Sequence, residues 1–247
     1  MPFAPDDRQR IRQELLSGAS SDDHLSGGGL TGSAAAGRED AYSDIDLALG
    51  VRKEVEIEGV LSDWTARMYE GYGAAHHFDV VAGSWTYRVF LLDNGLQVDL
   101  AFAPEAEFGA LAPTFKLVFG TAGEPPMRPP PKPDELIGLA WLYCLHGRTC
   151  IARGKLWQAE YMVSTARDHV LALACLRHGL PVREGRGMDQ LPGSVKVALI
   201  ESFASRLEPA ELGRALAVVA EALLMEVAAV NRQLERRLTP VLRRLTE

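Results

Sequence analysis

Six prolines crowd residues 121–134, TAGEPPMRPPPKPD. Proline fixes φ and has no amide donor, so neither a helix interior nor a central strand can run through such a segment. The chain is therefore expected to fold as two regions, residues 1–121 and 134–247, joined by a linker over 122–133. Hydrophobic patterning differs across that divide, alternating in short runs before it and recurring at helical spacing after it.

On the N-terminal side a short amphipathic helix is expected around residues 6–17. Residues 43–50 read SDIDLALG, with Ile45, Leu47 and Leu49 alternating against Asp44, Asp46 and Ala48, which is the period of a strand. Leu61, Trp64, Thr65 and Met68 recur at helical spacing over 60–72. Residues 86–92 and 96–102 flank Asp93-Asn94-Gly95, and Asn-Gly between two β-rich runs marks a hairpin. Residues 77–82 and 115–119 are candidates for further strands. A mixed sheet with helices on one side follows, giving an α+β chain.

Beyond the prolines everything reads as helix: residues 135–151, 155–178, 195–205, and a last one from Pro209 to about residue 238. Gly179 and Pro181 end the second helix, and Pro209 suits the start of the last. A C-terminal bundle of four or five helices is the expectation.

Composition narrows the function. Hydrophobic residues at 47% and charged residues at 24% supply a sizeable core. The formal net charge of −7 disfavours a grip on long nucleic acid, which needs a field of Lys and Arg. The three cysteines form no CxxC pair, so buried thiols in a reducing compartment are expected. The N-terminus lacks the basic-then-apolar order of a secretion signal, and no apolar run approaches the roughly 20 residues of a membrane span. A cytoplasmic protein without membrane or nucleic-acid partners is expected, as a monomer or a homodimer.

Gly32-Ser33, Asp44-Ile45-Asp46 and Asp99 carry the chemistry. Asp44 and Asp46, two apart on a strand, leave one face. Adjacent carboxylates repel unless a cation lies between them, and hard oxygen ligands suit magnesium. Asp99 sits in LQVDLAF with its apolar neighbours on the opposite face. If its strand lies nearby it joins the cluster, and three carboxylates can hold two metal ions for an in-line phosphoryl displacement. Gly32 lets backbone amides approach a phosphate, Ser33 adds a hydroxyl, and the small polar loop 34–43 could close over a triphosphate. The alternative is a set of solvated carboxylates on an exposed sheet face.

Leu30-Thr31-Gly32-Ser33, ten further residues, then Asp44-Ile45-Asp46-Leu47 resembles the hallmark of the DNA polymerase beta-like nucleotidyltransferase superfamily, with Asp99 matching its third carboxylate. The resemblance spans roughly residues 25–102 through its motifs. In size and layout the chain is most similar to the bacterial antibiotic nucleotidyltransferases, including aminoglycoside and lincosamide adenylyltransferases. That resemblance implies a small catalytic domain, a helical domain and substrate bound between them. It implies that Asp44 and Asp46 bind Mg2+, and that Asp99 binds metal or deprotonates the acceptor. ATP would be co-substrate, with Gly32, Ser33, Arg38 and Ser43 on the nucleotide side. Many relatives carry Ala-Arg-Gly after Gly-Ser; here the order is Ala35-Ala36-Gly37-Arg38, which shifts the arginine. The strand before Gly32 contains Gly27-Gly28-Gly29, so it is either loose or in close contact with something.

Further candidates lie on the helix 155–178. Glu160, Ser164, Arg167 and Asp168 share a polar face flanked by Trp157 and Tyr161. They either line an acceptor pocket, with Glu160 as an alternative base and Asp168 holding a cationic substrate, or form a solvated ion-pair cluster. Lys155 is expected in solvent, the His76-His77 pair in an edge or loop, the C-terminal arginines on a solvated face, and Trp141, Tyr143 and Leu145 in packing. The expected activity is transfer of AMP from ATP to a hydroxyl of a small molecule of the aminoglycoside type. A protein-modifying adenylyltransferase or minimal antitoxin, and a non-catalytic nucleotide-binding regulator, remain as alternatives.

Overall fold

A six-stranded mixed sheet organises the N-terminal half of the computed structural model, which describes residues 3–110, 114–124 and 129–246. The strands are β1 (Leu25–Leu30), β2 (Ile45–Val51), β3 (Ala74–Ala82), β4 (Trp85–Leu92), β5 (Gln97–Pro104) and β6 (Lys116–Gly120). Their spatial order is β3-β4-β5-β2-β1-β6. β2 and β5 run parallel, and the other neighbours are antiparallel.

Helices α1 (Pro5–Ser20) and α3 (Ile57–Tyr72) cover one face of this sheet, and α2 (Gly32–Ala35) is a single turn. The alternation of β2 and β5 decides which face is covered. Ile45, Leu47, Leu49, Val98, Leu100 and Phe102 turn toward the helices and pack with Leu15, Trp64 and Met68. The intervening residues, among them both strand aspartates, are left on the opposite face. The expected hairpin forms between β4 and β5. Gly95 takes φ +79, and the Leu96 amide donates to Asn94 Oδ1 at 3.0 Å.

The three consecutive glycines lie in a central strand. A Cβ on Gly27, Gly28 or Gly29 would meet the ring of Phe108, Phe119 or Phe115 respectively. Of the two expectations for this segment, close contact holds: aromatic rings lie directly against the backbone of β1.

The chain divides into two compact units, Met1–Arg128 and Pro129–Glu247. The second contains α4 (Pro133–Ala152), α5 (Leu156–Arg177), α6 (Gly193–Ile200), α7 (Pro209–Val230) and α8 (Arg232–Thr246). Its core draws on α4, α5 and α7, with Leu242 of α8. Arg177 donates to both oxygens of buried Glu226, each at 2.8 Å, tying α5 to α7.

The single helix expected from Pro209 to residue 238 is two helices. Asn231 takes an extended conformation (φ −152, ψ 95), and its Oδ1 accepts from the Leu234 amide at 3.0 Å. Asn231 thus ends α7 and caps α8. Helical apolar spacing continues across the break, which hides it from periodicity alone. Cys144, Cys150 and Cys175 are free and buried, in line with expectation. Among the described residues no helix is long and apolar enough to cross a membrane.

A candidate carboxylate metal site

The parallel pairing of β2 with β5 sets Asp46 directly beside Asp99. Asp44 precedes β2 by one residue and shares the face of Asp46. One ligand oxygen from each of Asp44, Asp46 and Asp99 lies within 4.8 Å of the other two, and this is the only such group among the described residues. All three side chains are half-buried.

Burial, with a smaller contribution from the negative charge of Asp44, pushes Asp99 from an ordinary carboxylate value of 3.8 up to about 6. A hydrogen bond from Gln97 Nε2 to Asp99 Oδ1, 3.0 Å long, opposes the rise. The cluster is therefore unfavourable as built, and a divalent cation would relieve it.

Gly32 lies against this cluster with φ +58, and a Cβ there would fall on the Asp46 carboxylate. Glycine is required for the left-handed backbone and for the space. Next to it, Ser33 Oγ is buried without a hydrogen-bond partner. A buried hydroxyl in that condition costs free energy unless a ligand satisfies it. Three hard oxygen donors, a glycine cradle and an unsatisfied hydroxyl fit a metal ion carrying a phosphate.

Two other expected nucleotide residues sit in the loop between α2 and β2. The Ser43 hydroxyl accepts from the Asp40 amide at 2.9 Å and donates to Asp40 Oδ1 at 3.1 Å, so it shapes the turn. The Arg38 amide donates to the Ser33 carbonyl at 3.0 Å, and its side chain is exposed.

No family model and no curated protein sequence matches the chain. Among solved structures it is similar to an aminoglycoside 6-adenyltransferase from Bacillus subtilis, at 14% identity and a TM-score of 0.42. That likeness covers 96% of this chain and 98% of the other.

The candidates on α5 belong to the helical unit. Ser164 donates to Glu160 Oε1 at 2.8 Å and accepts from Arg167 Nη2 at 2.9 Å. The common polar face expected for Glu160, Ser164, Arg167 and Asp168 is divided. Arg167 turns inward, donating to the Ser202 carbonyl at 3.1 Å with its guanidinium 4.0 Å from the Phe203 ring centre. Asp168 is exposed and lines a cavity of about 750 Å3 with Glu135, His169, Arg183 and Glu184. Trp157 and Tyr161 are 84% and 62% exposed and do not line that cavity.

The remaining expectations divide too. Lys155 is exposed. His77 lies on edge strand β3, with Nδ1 3.0 Å from Tyr69 Oη. Tyr143 packs against the helical core as expected, whereas Trp141 and Leu145 lie at the surface. Helical spacing groups residues on one side of a helix without saying whether a neighbour covers that side.

Proposed function

We propose that this chain is a nucleotidyltransferase that moves AMP from ATP to a hydroxyl of a small acceptor, with Mg2+ as cofactor. The observation that carries the reading is the set of three carboxylates on one sheet face, with Gly32 and buried Ser33 beside it. Asp44 and Asp46 would supply metal-ligand oxygens, and Asp99 would join them or act on the acceptor. Magnesium bound there supplies positive charge to the phosphates and stabilises the leaving pyrophosphate.

The rest of the chemistry falls to the protein. The Ser33 hydroxyl is a donor for a phosphate oxygen. Asp99, with its pKa raised to about 6, is poised to accept the proton of the acceptor hydroxyl near neutral pH. That oxygen forms a bond to the α-phosphorus as the bond from the α-phosphorus to pyrophosphate breaks. Glu160 stands second as base, since it is already hydrogen-bonded by Ser164. For the acceptor we propose an amine-bearing, hydroxyl-rich molecule of the aminoglycoside class. The motif resemblance supports that class, and so do Asp168, Glu135 and Glu184 at the wall of one cavity. A protein working in the cytoplasm fits this chemistry.

The test is pyrophosphate release from ATP and Mg2+ with a panel of aminoglycosides and lincosamides, comparing wild type with Asp46→Asn. Release should require one acceptor and fall more than about 100-fold in the variant, beyond what residues that merely orient a metal ligand contribute. Retained ATP binding with no release for any acceptor would sink the small-molecule reading and favour a protein acceptor or a regulatory role.

A further inference from the structure

We infer that Arg8 and Arg12 of α1 are positioning residues for the metal site, an inference that rests on the nucleotidyltransferase reading above. Arg8 is only 6% exposed, a guanidinium side chain taken out of solvent. Its Nη1 donates to the carbonyls of Asp40 and Ser43, at 2.6 Å and 2.9 Å. Its Nε lies 3.4 Å from Glu39 Oε1. Arg12 Nη1 donates to the same Glu39 oxygen. Two arginines of one helix face thus hold three points of the loop, at residues 39, 40 and 43.

The loop ends at Asp44. Ser43, whose carbonyl Arg8 holds, is its immediate neighbour in the chain. Asp46 and Asp99 are fixed by the β2–β5 ladder, but Asp44 precedes the first ladder residue, Ile45. The sheet alone therefore leaves Asp44 freer than its two partners. Repulsion from Asp99 would drive it outward in the absence of a cation. A buried guanidinium on the preceding carbonyl opposes that movement, since charge-assisted hydrogen bonds to backbone oxygens hold geometry tightly. The clamp keeps the third ligand in place before metal arrives, which is how outer residues tune metal affinity.

The experiment titrates Mn2+ alone, by electron paramagnetic resonance, into wild type, Arg8→Gln, Arg12→Gln, Arg88→Gln and Asp46→Asn. Arg88 serves as the stability control. It pins α3 to β4 through Thr65 and the Leu61 carbonyl and pairs with Asp79 of β3, far along the chain from the loop. Arg8→Gln should weaken Mn2+ binding by about 10- to 100-fold, the range for residues that orient ligands. Arg12→Gln should weaken it less, and Arg88→Gln should bind as wild type whatever its urea midpoint. Raising Mn2+ should restore turnover in Arg8→Gln, and Arg8→Lys should recover part of the affinity.

If Arg8→Gln does not fold, Arg12→Gln carries the test. Unchanged Mn2+ affinity in a folded arginine variant, or an equal loss in Arg88→Gln, overturns the clamp while leaving the metal site intact. A wild type that binds no Mn2+ more tightly than Asp46→Asn overturns the metal reading, and the clamp with it.

Discussion

Replacing Asp99 with Asn should make the metal-free protein more stable while destroying the site. Asp99 is forced to be charged in a half-buried position beside Asp44, and its pKa rises from 3.8 to about 6 in consequence. That displacement corresponds to about 3 kcal/mol against the charged form in the folded state. The side chain keeps some solvent, so screening reduces the figure to about 1–2 kcal/mol. The sign follows from proton linkage: the folded state holds this proton more tightly than the unfolded chain, so raising pH removes stability. The penalty is small below about pH 4, grows up to about pH 6, and is constant above it. Asparagine is neutral throughout and can still accept from Gln97.

The assay is urea unfolding in EDTA at pH 8 and pH 4.5. A Trp141→Phe, Trp157→Phe background leaves the buried Trp64 and Trp85 of the sheet unit as the reporters. Asp99→Asn should gain about 1–2 kcal/mol at pH 8 and about a third of that at pH 4.5. Saturating Mg2+ should reverse the order by stabilising only the wild type. A variant no more stable than wild type at pH 8, or a gain independent of pH, would refute the argument that burial and Asp44 load this carboxylate.

Other changes have defined outcomes. Gly32→Ala should lose at least about 1–2 kcal/mol for its left-handed backbone. It should also weaken Mn2+ binding, measured by the same resonance titration, because the new methyl displaces the Asp46 carboxylate. Trp64→Ala should cost the sheet unit about 3–5 kcal/mol in urea unfolding, since Trp64 is 1% exposed between α3 and the strands. Asn231→Ala should cost the helical unit about 1 kcal/mol through the lost cap, read as lower amide protection over the first turn of α8.

How much could be read beforehand depended on whether the information was local. The β4–β5 hairpin was legible because Asn94-Gly95 specifies its own turn. Asp44 and Asp46 were legible because alternation fixes their face. Asp99 was legible as a type of residue on a type of strand. Its place beside Asp46, however, needs the parallel β2–β5 pairing, a long-range choice no local pattern encodes. Arg8 carries only a faint sequence signal: it stands in line with Ile11, Leu15 and Ala19, the buried stripe of α1. A charged residue on an apolar stripe needs a buried partner, and that demand points to a clamp. Arg167 repeats the lesson on α5, where spacing placed it at the surface and packing drew it under Phe203.

The glycines of β1 bear on how this chain can drift. Gly28 and Phe119 face each other across the β1–β6 pair, and the ring of Phe115, one residue before β6, lies against Gly29. Each glycine is small because its partner ring is large, so neither position is free to vary alone. A larger residue at 28 becomes tolerable only after 119 has shrunk, and a smaller residue at 119 opens a hole that only growth at 28 can fill. A combinatorial library over the four positions should therefore show sign epistasis, with viable sequences confined to small–large pairs and the large–large and small–small intermediates depleted.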